Sequence, residues 1–137
     1  MVCLDGSKGS IRALRTAILF ARQSDATIVG VHSDVSKGSP RTFSNPKIKE
    51  EKWSNEIKKT MQFAKDKCKI RNVEFEGVAI AGYNAGNDLA RFANNNKNKI
   101  EHVVIGSQGT GFPKGTFFGS VSNFVLHKAN IPVTIVK

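Results

Sequence analysis

Apolar positions along this chain follow two alternating rhythms. Val2 to Leu4, Thr27 to His32, Val73 to Ala81, His102 to Ile105 and Pro132 to Val136 are compact apolar runs, the signature of strands. Between them, Ile11, Leu14, Ile18 and Ala21 recur at three- and four-residue steps, which is helical spacing. Trp53, Ile57, Met61, Ala64 and Cys68 do the same, and Asn45-Pro46 ahead of them reads as a start with proline at the first helical position, predicting one long helix through to Lys69. Asp88 to Asn94 predict a short helix packing Leu89, Phe92 and Ala93, entered through a turn at Gly82 to Gly86 and left through the polar run Asn94 to Lys99. Val121, Phe124, Val125 and Lys128 predict a last helix. Five strands alternating with four helices imply a parallel, twisted sheet with helices on both faces, a Rossmann-like α/β architecture expected in strand order 3-2-1-4-5. At 137 residues the chain is expected to be one domain, 1–137, with a core of its own.

The connection between the fourth strand and the last helix, Gly106 to Asn123, spaces small residues unusually. Gly106, Gly109, Gly111 and Gly115 are expected to permit positive φ and close approach to a ligand. Gly119-Ser120 then opens a helix, whose unpaired N–H groups and positive dipole end make an anion site, most simply for phosphate. Two common phosphate signatures fail here. Lys114 precedes Gly115, the reverse of a P-loop, and Gly109, Gly111 and Gly115 run one residue too long for G-x-G-x-x-G.

What does fit is Gly-x-x-Gly, nine residues, then Gly-Ser, carried by Gly106, Gly109, Gly119 and Ser120. This spacing resembles the nucleotide loop of the universal stress protein family, in its ATP-binding subgroup. The resemblance extends to the opening strand and turn, Val2-Cys3-Leu4-Asp5-Gly6-Ser7, and to the closing Pro132 to Val136. Three departures stand out: only Met1 precedes the first strand where several residues are usual, Gln108 occupies a position where His or Arg is common, and Tyr83 to Asn87 replace the usual Gly-x-Pro. The resemblance implies an adenine nucleotide alpha hydrolase-like fold that binds ATP as a regulatory, stress-response module. Phosphates would lie on Gly106, Gly109 and Thr110 and on the helix start at Gly119, Ser120 and Val121. Adenosine would lie between the Asp5-Gly6-Ser7 turn and Ser33, with His32 and Ser33 meeting adenine partly through backbone groups. Mg²⁺ would be held by the phosphates and water. It also implies a homodimer in which Val133 to Val136 pair with the same strand of a second copy, protecting an open sheet edge.

Read without the resemblance, Asp5 is either a turn residue or a ligand contact. Ser7 caps the helix that follows it. Asp34 to Asn45 read as a loop, either solvent-facing or able to bring Lys37, Arg41 or Phe43 over a ligand.

Charge and chemistry narrow the choice of function. The net charge of +10 favours polyanions, but the cations are spread over the chain without a stacking platform of aromatics, so specific nucleic-acid binding is not expected. His32, His102 and His127 are scattered, and no nucleophile elbow or Cys-His pairing is visible, so no catalytic residue is assigned. Slow ATP hydrolysis, with charge from Lys114 or Lys8 and turnover depending on Lys114 or Asp5, and a dimeric interaction module without nucleotide are the alternatives. Cys3 and Cys68 read as buried small hydrophobes in a reduced setting. Met1 leads straight into a strand, and no apolar run approaches the roughly 20 residues of a membrane helix, so a cytoplasmic protein is expected.

Overall fold

The computed structural model describes residues 1–38, 45–110 and 118–137. The chain runs β1 (Val2–Cys3), α1 (Lys8–Ser24), β2 (Ile28–Asp34), β3 (Lys47–Ile48), α2 (Asn55–Ile70), β4 (Phe75–Ala81), α3 (Ala85–Asn94), β5 (Val103–Gly106), α4 (Ser120–Lys128) and β6 (Val133–Val136). The strands form one sheet in the order β3-β4-β2-β1-β5-β6. This corrects the expected five-stranded, all-parallel sheet of order 3-2-1-4-5. Residues 47 and 48, assigned from sequence to a long helix, pair antiparallel with Ile80 and Ala79 as a sixth strand at the edge. Omitting β3, the remaining strands are mutually parallel and stand in the order β4-β2-β1-β5-β6.

The correction has a local cause. The Ala81 N–H donates to the Pro46 carbonyl at 2.9 Å, extending the ladder by one residue. Proline lacks an N–H and suits the first position of an edge strand as well as the first turn of a helix. The helix begins later, where Ser54 accepts from the Ile57 N–H and supplies a cap. Trp53 therefore precedes α2; its indole N–H donates to Ile48 O at 2.9 Å and ties β3 back to the helix start.

The layers follow from strand alternation. Val2, Leu4, Ile28, Ala79 and Val104 point to one face, against Leu14 and Ile18 of α1 and Ile57, Met61 and Cys68 of α2. Cys3, Val31, Val78, Ile80, Val103 and Ile105 point to the other, against Leu89 and Phe92 of α3 and Val125 of α4. Burying each large aliphatic side chain contributes roughly 1.5–3 kcal/mol, so each face is anchored several times over. Both cysteines are buried and free, and burial pushes the Cys3 thiol up to about 12 and the Cys68 thiol up to about 11. Among the described residues no helix is long and apolar enough to cross a membrane.

Candidate functional site

The sheet order departs from β1 in both directions, toward β2 on one side and β5 on the other. At such a switch point the loops leaving the strand ends turn away from each other and open a crevice. Here it is a cleft of about 550 Å³ over the carboxyl ends of β1, β2 and β5. Its buried wall is apolar, formed by Cys3, Val31, Leu89 and Ile105. Its mouth is polar, with Asp5, Ser7, Thr110 and Ser120.

Asp5 joins the two loops. Its Oδ1 accepts from the Ser7 N–H at 2.9 Å and its Oδ2 from the Thr110 N–H at 3.1 Å, 105 positions away. Partial burial raises the Asp5 carboxyl, but hydrogen bonds from Ser7, Thr110 and Ser10 outweigh it and hold the group below its ordinary value of 3.8. A carboxyl depressed in the folded state stabilises the fold fully above its unfolded value. That contribution is lost as pH falls through the lower folded value. The gap in urea midpoint between the parent and Asp5→Asn is therefore expected to be constant from pH 7 to 5 and to shrink below about pH 4. A gap unchanged at pH 3 would show that the ionised carboxylate does not tie these loops.

The α4 start is built differently from the other helix starts. Ser7, Ser54 and Asn84 cap α1, α2 and α3 by accepting from Ser10, Ile57 and Asn87 N–H groups. Gly119 at the head of α4 offers no side-chain cap. The N–H groups of Ser120, Val121 and Ser122 thus lack an intrahelical acceptor, and all three residues line the cleft. This end is held rigidly against β5. Ser107 O accepts from the Gly119 N–H at 2.7 Å and from Ser122 Oγ at 3.0 Å.

Asp5, Ser7, Ser33, Gly106, Gly109, Thr110, Gly119, Ser120 and Val121, all singled out from the sequence, line this one cleft. Gly6 is not among its lining residues; it turns the chain at φ 79°. Positive φ, one of the two reasons given for Gly106 and Gly109, does not apply, because Gly6 alone among the described glycines has it. Close approach is the reason that holds: a Cβ on Gly109 would lie 2.6 Å from Asp5 Oδ2. Gly111, Lys114, Gly115, Arg41 and Phe43 lie outside the described residues. His32 reaches the cleft, and its Nδ1 donates to Leu4 O at 2.8 Å. Lys8 is not among the lining residues.

Ser122 and Asp88 escaped sequence reasoning. Asp88 was read only as the start of a short helix, yet α3 begins earlier, at Ala85 behind the Asn84 cap, and Asp88 is buried inside its first turns. Its buried carboxylate beside the cleft left no periodic signal. Cys3 lines the cleft but, with its thiol held protonated by burial, it is no nucleophile. Among the described residues no three His, Cys, Asp or Glu side chains converge to hold a metal ion.

Fold and cleft together define a doubly wound α/β protein with a crevice at its switch point and an uncapped helix N-terminus lining it. The whole chain, residues 1–137, matches the universal stress protein family. It is 31% identical over 140 residues to universal stress protein MJ0531 of Methanocaldococcus jannaschii, covering 97% of this chain and 78% of that one. A solved universal stress protein from Archaeoglobus fulgidus superposes with a TM-score of 0.73 at 29% identity, covering 98% of this chain and 95% of that one. The A. fulgidus protein in complex with dAMP superposes with a TM-score of 0.72 at 28% identity, covering 98% and 94%. The chain belongs to the universal stress protein family.

Proposed function

We propose that this chain binds ATP in the cleft and acts as a regulatory module whose conformation or partner affinity follows nucleotide occupancy. The observation that carries the reading is the uncapped start of α4, clamped through Ser107 beside the Gly106–Thr110 loop in the same cleft. Helix N–H groups left without acceptors attract phosphate, and the apolar wall behind them suits a nucleobase. The dAMP complex of the A. fulgidus relative supports an adenine nucleotide. Ser120, Val121, Gly119, Gly106, Gly109 and Thr110 are assigned to the phosphates. Asp5, Gly6, Ser7 and Ser33 are assigned to the nucleoside. The Thr110 N–H is engaged by Asp5, so in this chain Thr110 serves mainly to hold the loop. Mg²⁺, if carried by the nucleotide, would be held through phosphate and water.

A second copy of the chain is proposed as partner, through β6. Among the described residues no strand pairs with the outer edge of β6, an arrangement that a matching strand would protect. The two free, buried thiols suit a reduced, cytoplasmic setting. The test is to denature the purified protein and chromatograph what it releases. An adenine nucleotide approaching one per chain is expected. No released nucleotide, together with no calorimetric signal on adding ATP, overturns the reading.

A further inference from the structure

Asp88 is 2% exposed, and among the described residues its carboxylate gathers three donors. Oδ2 accepts from Ser33 Oγ at 2.9 Å and from the Asn84 N–H at 3.0 Å, and Oδ1 accepts from Asn45 Nδ2 at 2.8 Å. Two of these partners can only donate. A backbone N–H has no lone pair, and Asn45 Nδ2 lies between Asp88 and the Ala81 carbonyl at 3.3 Å, which fixes the orientation of its amide. Among the described residues Ser33 is the one hydroxyl in the cluster, and its single hydrogen is directed at the carboxylate.

The consequence reaches the cleft, because Ser33 stands at the end of β2 in its wall, among Val31, Ala85 and Leu89. With its hydrogen spent on Asp88, the Ser33 oxygen offers only lone pairs to anything bound there. We infer that the Ser33 hydroxyl, oriented by Asp88, selects a nucleobase bearing an exocyclic amino group and rejects one bearing a carbonyl at the same place. A 6-amino purine donates to the Ser33 oxygen. A 6-oxo purine sets two acceptors against each other in a poorly hydrated wall, where an unmade hydrogen bond is costly. Asp88 is a positioning residue in this scheme, and Ser33 is the group that touches the base. The inference rests on the nucleotide reading above and names the part of the base that the site reads.

The test compares ATP with ITP by calorimetry on the full chain. The parent is expected to prefer ATP at least tenfold. Ser33→Ala should bring the ratio to about threefold or less, chiefly by weakening ATP, and Ser33→Thr should restore it. Ser33→Ala leaves Asp88 two of its three donors, so the variant retains most of the cluster. Asp88→Leu, with Ser33 in place, should lower the ratio by improving ITP, because the freed hydroxyl can turn and donate. A merely structural role for either residue would shift both affinities together and leave their ratio alone. A parent without preference, or a ratio unmoved by Ser33→Ala, overturns the inference while the nucleotide reading stands. A parent that binds neither nucleotide overturns both.

Discussion

Ser120→Asp is expected to bind ATP at least tenfold more weakly than the parent while melting at the same temperature or slightly above it. The two effects share one cause and carry opposite signs. Position 120 is the first residue of α4, exposed, beside the N–H groups that Gly119 leaves without a side-chain cap. A carboxylate there complements the positive helix end and favours the fold by about 0.3–1 kcal/mol. The same charge occupies the place assigned to phosphate. Each unit pair about 4 Å apart repels by about 1 kcal/mol in water and by more where the dielectric falls, so two phosphate charges imply roughly 2 kcal/mol or about thirtyfold. Titration calorimetry and thermal unfolding on one preparation separate the effects. If affinity holds while the fold is intact, phosphate does not sit on α4.

Gly9→Ala is expected to destabilise the protein by roughly 1–3 kcal/mol and to weaken nucleotide binding with it. Helix propensity alone predicts the reverse, since alanine inside a helix such as α1 gains about 1 kcal/mol over glycine. Tertiary contact decides the sign. A Cβ at Gly9 would lie 2.0 Å from Gln108 O and 3.2 Å from Gln108 C, both backbone atoms. The glycine at 106 faces the same crossing, where an added Cβ would meet Gly9 C at 2.6 Å. Neither side has a flexible side chain to yield, so α1 and the loop after β5 must move apart. That loop carries Gly109 and Thr110, so the pairing of Thr110 with Asp5 moves too. Urea unfolding and ATP titration of the variant measure both losses. A variant as stable as the parent, with unchanged affinity, would show that the crossing relaxes freely.

How much of this protein was legible in its sequence follows from the range of each interaction. α1 was readable because its apolar stripe and its cap, Ser7 to Ser10, lie within a few residues of one another. The start of α4 was readable from Gly119-Ser120 for the same reason. β3 was not, because two residues are too short to show a period and Pro46 suits a strand edge and a helix start equally. For Gly106 and Gly109 the expected positive φ was wrong. Their spacing was visible, but the atoms that forbid a side chain, Gly9 at one and Asp5 at the other, come from the far end of the chain.

By itself, then, the sequence determined the alternation of strands and helices, the Ser7 cap of α1, and the loop whose glycine spacing marks the family. These depend on residues a turn or two apart, where backbone geometry leaves few choices. Only the tertiary structure decided that Asp5 holds Thr110 across 105 positions and that Asp88 gathers Ser33 and Asn45 from 55 and 43 positions away. A buried carboxylate must find its donors wherever the packed chain brings them, and no local pattern records where that will be.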